Sequence, residues 1–164
     1  MLQALIHKTY NRTTAPRYGK LLIWAVSAWL VAFGLSYVFK FAYTPIANLL
    51  LGTVAMVLNS AGVANSLYKH MLTTAYNTLY LEWFHTPLAV WLAAVLMAVW
   101  LQAPLWQKLV CALCAIAIAF IIQVAWLLLC VVYAPAINML WVVIALHVLV
   151  LATLYKVCVL RLSN

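Results

Sequence analysis

Glu82, the only acidic residue in the chain, stands three positions before His85, with Thr86 next, in the stretch "LYLEWFHTPLAVW" (residues 79–91). A carboxylate one helical turn from an imidazole can orient it, and an imidazole beside a hydroxyl can act as its base. Those are the parts of an activated nucleophile, so Glu82, His85 and Thr86 are the candidate catalytic residues. Their geometry is imperfect, because adjacent positions on a helix point about 100° apart and only i, i+3 and i, i+4 residues face each other. Two further polar residues, Gln123 and His147, interrupt otherwise apolar runs. Polar groups at membrane depth are costly and so carry information. A hydrogen bond between Gln123 and His147 across a helix pair is the structural expectation for both, contributing about 0.6 kcal/mol.

Other chemistries lack their parts. Glu-x-x-His is the spacing of di-iron bundles, which need several carboxylates where this chain has one. With no Asp at all, the paired-aspartate site of an acid protease is excluded. Cys111 and Cys114 have CxxC spacing, but no second ligand pair or redox fold accompanies them. These two, with Cys130 and Cys158, lie in apolar helical runs and read as small packing residues. A haem held by His85 and His147 would need both at one depth, whereas the sequence puts His85 at a membrane rim and His147 halfway along a helix. No metal or cofactor is expected, and a haem or quinone electron-transfer role stays a minor alternative.

The elements that must position these residues follow from composition. Hydrophobic residues are 70% of the 164, charged residues 6%. A soluble domain of about 150 residues leaves roughly a third of its surface exposed, so lipid must be the solvent for most of this chain. The fold expected is all-α, a polytopic integral membrane helical bundle forming one membrane domain over residues 21–164. A basic segment, residues 1–20, precedes it. The net charge of +8 comes from scattered Lys and Arg with no basic domain, which argues against a nucleic-acid partner.

A span needs about 20 apolar residues. Stretches at about 21–39, 83–101, 109–133 and 137–155 qualify, with the first read as a retained anchor and not a cleaved signal. The region 42–82 holds a fifth apolar run interrupted by Pro45, Asn48, Gly52 and Asn59. The positive-inside rule arbitrates. If that run also spans, Lys and Arg divide five to four; if it does not, they divide seven inside to two outside, Lys40 and Lys69. The reading is therefore four spanning helices, both termini cytoplasmic, and an outward re-entrant or interfacial segment over 42–82. Tyr80, Trp83, Phe84 and Trp91 then suit an aromatic belt. Lys8, Arg12, Arg17 and Lys20 face the cytoplasmic leaflet, where they contact anionic lipid or a partner subunit.

This organisation resembles the exosortase/archaeosortase family of membrane transpeptidases. The segment "YTPIANLLLGTVAMVLNSAGV" is similar to the family's Pro- and Gly-containing amphipathic segment, "LEWFHTPLAVWLAAVLMAVW" to its nucleophile helix, "LQAPLWQKL" to its basic turn and "AIAFIIQVAWLLL" to its Asn/Arg helix. The resemblance covers most of residues 20–155. Where the family has its Cys this chain has His85-Thr86, and where it has Asn and Arg this chain has Gln123 and Trp126. What the resemblance implies is a scaffold of that type without its thiol chemistry.

The function expected is a non-catalytic accessory or structural subunit of a larger membrane complex in a prokaryotic plasma membrane. Its partners would be the lipid bilayer and other membrane subunits. The alternative is an exosortase-like enzyme with altered chemistry at Glu82, His85 and Thr86.

Overall fold

The computed structural model describes residues 18–82, 86–100, 104–133 and 140–162. The chain is mostly helical. Helix α1 (Tyr18–Val38) is followed by a single 3-10 turn (Lys40–Ala42) and α2 (Tyr43–Ser60). Three short strands come next, β1 (Asn65–Tyr68), β2 (Met71–Thr74) and β3 (Thr78–Tyr80). The chain then runs through α3 (Leu88–Trp100), α4 (Leu105–Val132) and α5 (Leu140–Leu162).

Four helices close a ring: α1 packs on α3 and α5, and α4 packs on the same two. Their shared core is built largely of alanine, with Ala25, Ala28 and Ala32 from α1 meeting Ala93, Ala94 and Ala98 from α3. Cys111, Ala112, Ala115 and Ala119 of α4 and Ala152 of α5 complete it. Small side chains let backbones approach closely, the usual packing where lipid removes the hydrophobic drive between helices. Large apolar side chains point outward instead, among them Ile23 (65% exposed), Leu113 (64%) and Val142 (65%).

Three helical segments are long and apolar enough to cross a membrane: Gly19–Val38, Leu105–Val132 and Leu140–Val157. The third expected span is shorter than the sequence indicated. Helix α3 has 13 residues, against the 19 of the expected 83–101; positions 83–85 and 101–103 lie outside the described residues. Two boundaries also move. Helix α4 starts at Leu105 and not 109, because Pro104 is its N-cap, with an extended ψ of 150°, and the helix follows at once. Helix α5 runs past 155 and takes Lys156 into its length; basic residues are favourable near a helix C-terminus.

The segment 42–82 departs furthest from an all-α reading. Helix α2 buries Ala47, Leu50, Leu51, Val54, Ala55 and Leu58, a spacing of three and four that defines one face. It ends in a Schellman motif: Val63 N–H bonds Leu58 O (2.9 Å) and Gly62 N–H bonds Asn59 O (3.0 Å), with Gly62 at φ 76°. The strands then form an antiparallel meander in the order β1-β2-β3, with Leu67 opposite Leu72 and Leu72 opposite Leu79. Leu72 and Leu79 point inward and join α2 and the C-terminal part of α4 (Trp126, Leu127, Cys130, Val131) in a second core. The α2–meander unit is thus a cap seated on one end of the ring. Side chains fasten it: Asn65 Nδ2 donates to Ala55 O (3.3 Å), and Asn77 Nδ2 to Cys130 O (3.3 Å).

Candidate functional site

The polar residues singled out in the apolar runs do converge. Thr86, Gln123 and His147, from the approach to α3, from α4 and from α5, line one cavity with Trp29 and Phe33 of α1. All three are buried, at 7%, 3% and 2% exposure. The cavity holds about 20 Å³, room for about one water molecule. Trp29 and Phe33 stack at 5.3 Å between ring centroids and present an aromatic wall to it.

The His147 ring is held by the backbone: Nε2 donates to Ala119 O at 3.2 Å. Ala119 lies one turn before Gln123 on α4, and Gln123 and His147 line the same cavity. Helices α4 and α5 are therefore joined at this level by a polar contact to main chain, which any residue at 119 would supply.

Two of the three candidate catalytic residues lie within the described residues. Glu82 is exposed on the cap, while Thr86, four residues on, is buried in the bundle cavity. His85 lies outside the described residues. Thr86 shares its cavity with His147. Trp91, expected in an interfacial belt, instead packs half-buried against the alanine core with its indole nitrogen enclosed. Trp83 and Phe84 lie outside the described residues, as do Lys8, Arg12 and Arg17; Lys20 is exposed at the start of α1.

Glu82 belongs to a second group of residues, on the cap. The His70 ring, in the turn between β1 and β2, packs against Tyr43 (5.5 Å) and edge-on to Tyr80 (4.9 Å), and its Nε2 is 3.0 Å from the Tyr80 hydroxyl. The Tyr43 hydroxyl donates to Leu81 O. Burial first, then the charges on Tyr80 and Glu82, raise the Tyr43 pKa above its usual 10.0. Of these residues the sequence singles out only Glu82, as a catalytic candidate, and Tyr80, as part of an aromatic belt.

Two other features escaped sequence reasoning. Tyr155, taken as the end of a span, is buried in the bundle, and its hydroxyl donates to Ala94 O of α3. The signal was available, since a tyrosine in an apolar run needs a partner for its hydroxyl. Cys111 is not a simple packing residue but is disulfide-bonded, whereas Cys114 and Cys130 are free thiols. Among the described residues no group of three or more His, Cys, Asp or Glu could hold a metal ion. No family model, curated protein or solved structure matches the chain.

Proposed function

We propose that the chain is a non-catalytic accessory or structural subunit of a larger membrane assembly, built on an exosortase-like scaffold. The observation that carries this reading is that Thr86 is buried against a cavity of only about 20 Å³ while Glu82 is exposed on the cap. A nucleophile needs its base and orienting group within hydrogen-bond reach and a place for the reacting atom. In this reading Thr86 serves to pack the bundle.

The membrane arrangement belongs to the same proposal. Four helices span, α1, α3, α4 and α5, with both termini on the cytoplasmic face of a prokaryotic plasma membrane. Helix α3 alone covers roughly 20 Å, less than the ~30 Å of hydrocarbon. Its connections support a crossing nonetheless: the chain leaves the cap at Leu81 and enters α4 at Leu105, while the cap sits at the other end of α4. The lysine count places the cap outside.

Purification from the native membrane in mild detergent, followed by the mass and composition of the particle, tests the subunit reading. A defined complex with other polypeptides is expected; a lone 18.4 kDa chain or a homo-oligomer would defeat it.

One observation favours a second reading, an exosortase-like enzyme with altered chemistry. A hydroxyl (Thr86), an amide (Gln123) and an imidazole (His147) line one cavity. Thr86→Val keeps the side-chain shape and removes the hydroxyl. Loss of a processing activity in that variant, with normal assembly, would move the assignment to the enzyme.

A further inference from the structure

Helix α2 has three faces of different character, and only one of them is used inside the chain. Its buried face meets α4 and the strands. The remaining surface divides along the helix. One flank carries Leu49 (56% exposed), Met56 (73%) and Val57 (42%), with Thr53 and Ser60 between them. The other flank carries Thr44, Asn48 and Asn59, all exposed. No residue of the helix is charged.

The hydroxyls on the first flank are already satisfied by the helix. Thr53 Oγ1 donates to Leu49 O at 2.8 Å, and Ser60 Oγ donates to Met56 O and Val57 O at 2.9 Å each. That flank therefore offers carbon to its surroundings and asks for no hydrogen bond from water. The same device appears on α5, where Thr153 Oγ1 folds back to Leu149 O at 2.8 Å. The other flank differs: Asn59 Oδ1 accepts from Asn65 Nδ2 at 2.8 Å, while Asn48 and Thr44 present exposed polar groups to water or headgroups.

A spanning helix would meet lipid on every side not covered by protein and would have no polar flank. A helix in water would be polar on both. We propose that α2 is an interfacial helix lying along the outer leaflet, with Leu49, Met56 and Val57 among phospholipid acyl chains and Asn48 and Thr44 toward the headgroups. Phe41, 75% exposed in the preceding turn and paired with Phe39 at 5.8 Å, continues the apolar surface toward α1. A three-way division between protein, hydrocarbon and water is what a helix at a bilayer surface beside a bundle requires.

This proposal rests on the membrane reading, and the test separates the two. In a Cys114→Ser/Cys130→Ser background, which removes the free thiols, single cysteines at Leu49, Met56, Asn48 and Thr44 carry a nitroxide. Ile121 of α4, 64% exposed, is the control position. The full chain, with any subunits that copurify, is placed in vesicles of zwitterionic and anionic phospholipid. Collision rates with molecular oxygen and with a water-soluble nickel chelate are then compared. Labels at 49 and 56 should favour oxygen, and those at 44 and 48 the chelate. Chelate contact at all four α2 positions, with oxygen contact at 121, would overturn the proposal alone. Oxygen contact at all four would make α2 a span and overturn it also. Low contact with both reagents at 49 and 56 would show a protein partner covering the flank in place of lipid. Chelate contact at 121 as well would instead defeat the membrane reading itself.

Discussion

The Tyr43 hydroxyl donates to the carbonyl of Leu81, tying the first turn of α2 to the chain that leaves the cap for α3. It is a long-range polar contact that adds to the apolar core beneath the cap and to the Asn65 and Asn77 side-chain bonds.

Tyr43→Phe removes that donor and leaves the ring in place against His70. The loss expected is about 1 kcal/mol, read as faster amide exchange over residues 78–82 with little change in the bundle. The pH dependence has a definite sign. The folded-state pKa of Tyr43 lies above 10.0, so the bond's stabilisation is complete below that value and is lost as pH rises beyond it. Alkaline loosening of the cap should therefore be present in the parent chain and weakened in Tyr43→Phe. Equal loosening in both would place its origin elsewhere.

Gly62 and Gly34 should respond oppositely to alanine. Gly62 closes the α2 Schellman motif at φ 76°, a left-handed conformation that costs a residue with a Cβ about 1 kcal/mol. Gly34 lies inside α1 in an exposed position, and a Cβ built there meets nothing within 4 Å. Alanine at Gly34 should stabilise by up to about 1 kcal/mol through its helix preference. Thermal unfolding in detergent distinguishes them; a shift of the same sign in both variants would contradict the backbone account.

The long apolar helices were legible in the sequence because their composition leaves no other solvent for them. Gln123 and His147 were legible for the same reason, as polar interruptions in such runs. The cap was not. Pro45 reads as an interruption of an apolar run, yet it sits in the first turn of α2, where its missing N–H has no intrahelical partner. The meander sends only Leu72 and Leu79 inward, so alternation over strands of three and four residues was too brief to register. Its first hairpin also lacks the glycine that usually marks a two-residue turn; Lys69 itself takes φ 52°. Thr86 was assigned by its neighbours to a rim site, because proximity to Glu82 in sequence says nothing about which of the two the fold buries.

Topology follows from the placement of the lysines and can be read directly. A phosphatase reporter that is active only outside the cytoplasm should be active when fused after Tyr76, in the cap, and inactive after Lys108, in the first turn of α4. Activity at Lys108 and silence at Tyr76 would invert the chain. Activity at neither or both would remove α3 as a span. The structural side of Lys108 is separate: its Nζ donates to Val99 O at 3.3 Å, near the C-terminal end of α3, where a cation is favourable. The fused chain should therefore retain Lys108.

The polar cavity gives the last prediction. Gln123 and His147 face one small space, and the contact their helices make there is worth less than its burial implies, because membrane-embedded polar groups also find partners in the unfolded chain. Gln123→Leu and His147→Leu should each destabilise the bundle by about 1 kcal/mol, since each leaves polar atoms of the other helix facing hydrocarbon. The double variant should lose less than the two singles together, with a coupling on the order of 0.6 kcal/mol. A double-mutant cycle on unfolding in mixed detergent micelles measures it. A coupling near zero would mean that the Ala119 carbonyl holds His147 without Gln123, and that Gln123 serves only to fill its side of the cavity. A coupling of several kcal/mol would show the pair to be a tightly preorganised polar centre, which a packing role does not need and an enzyme does.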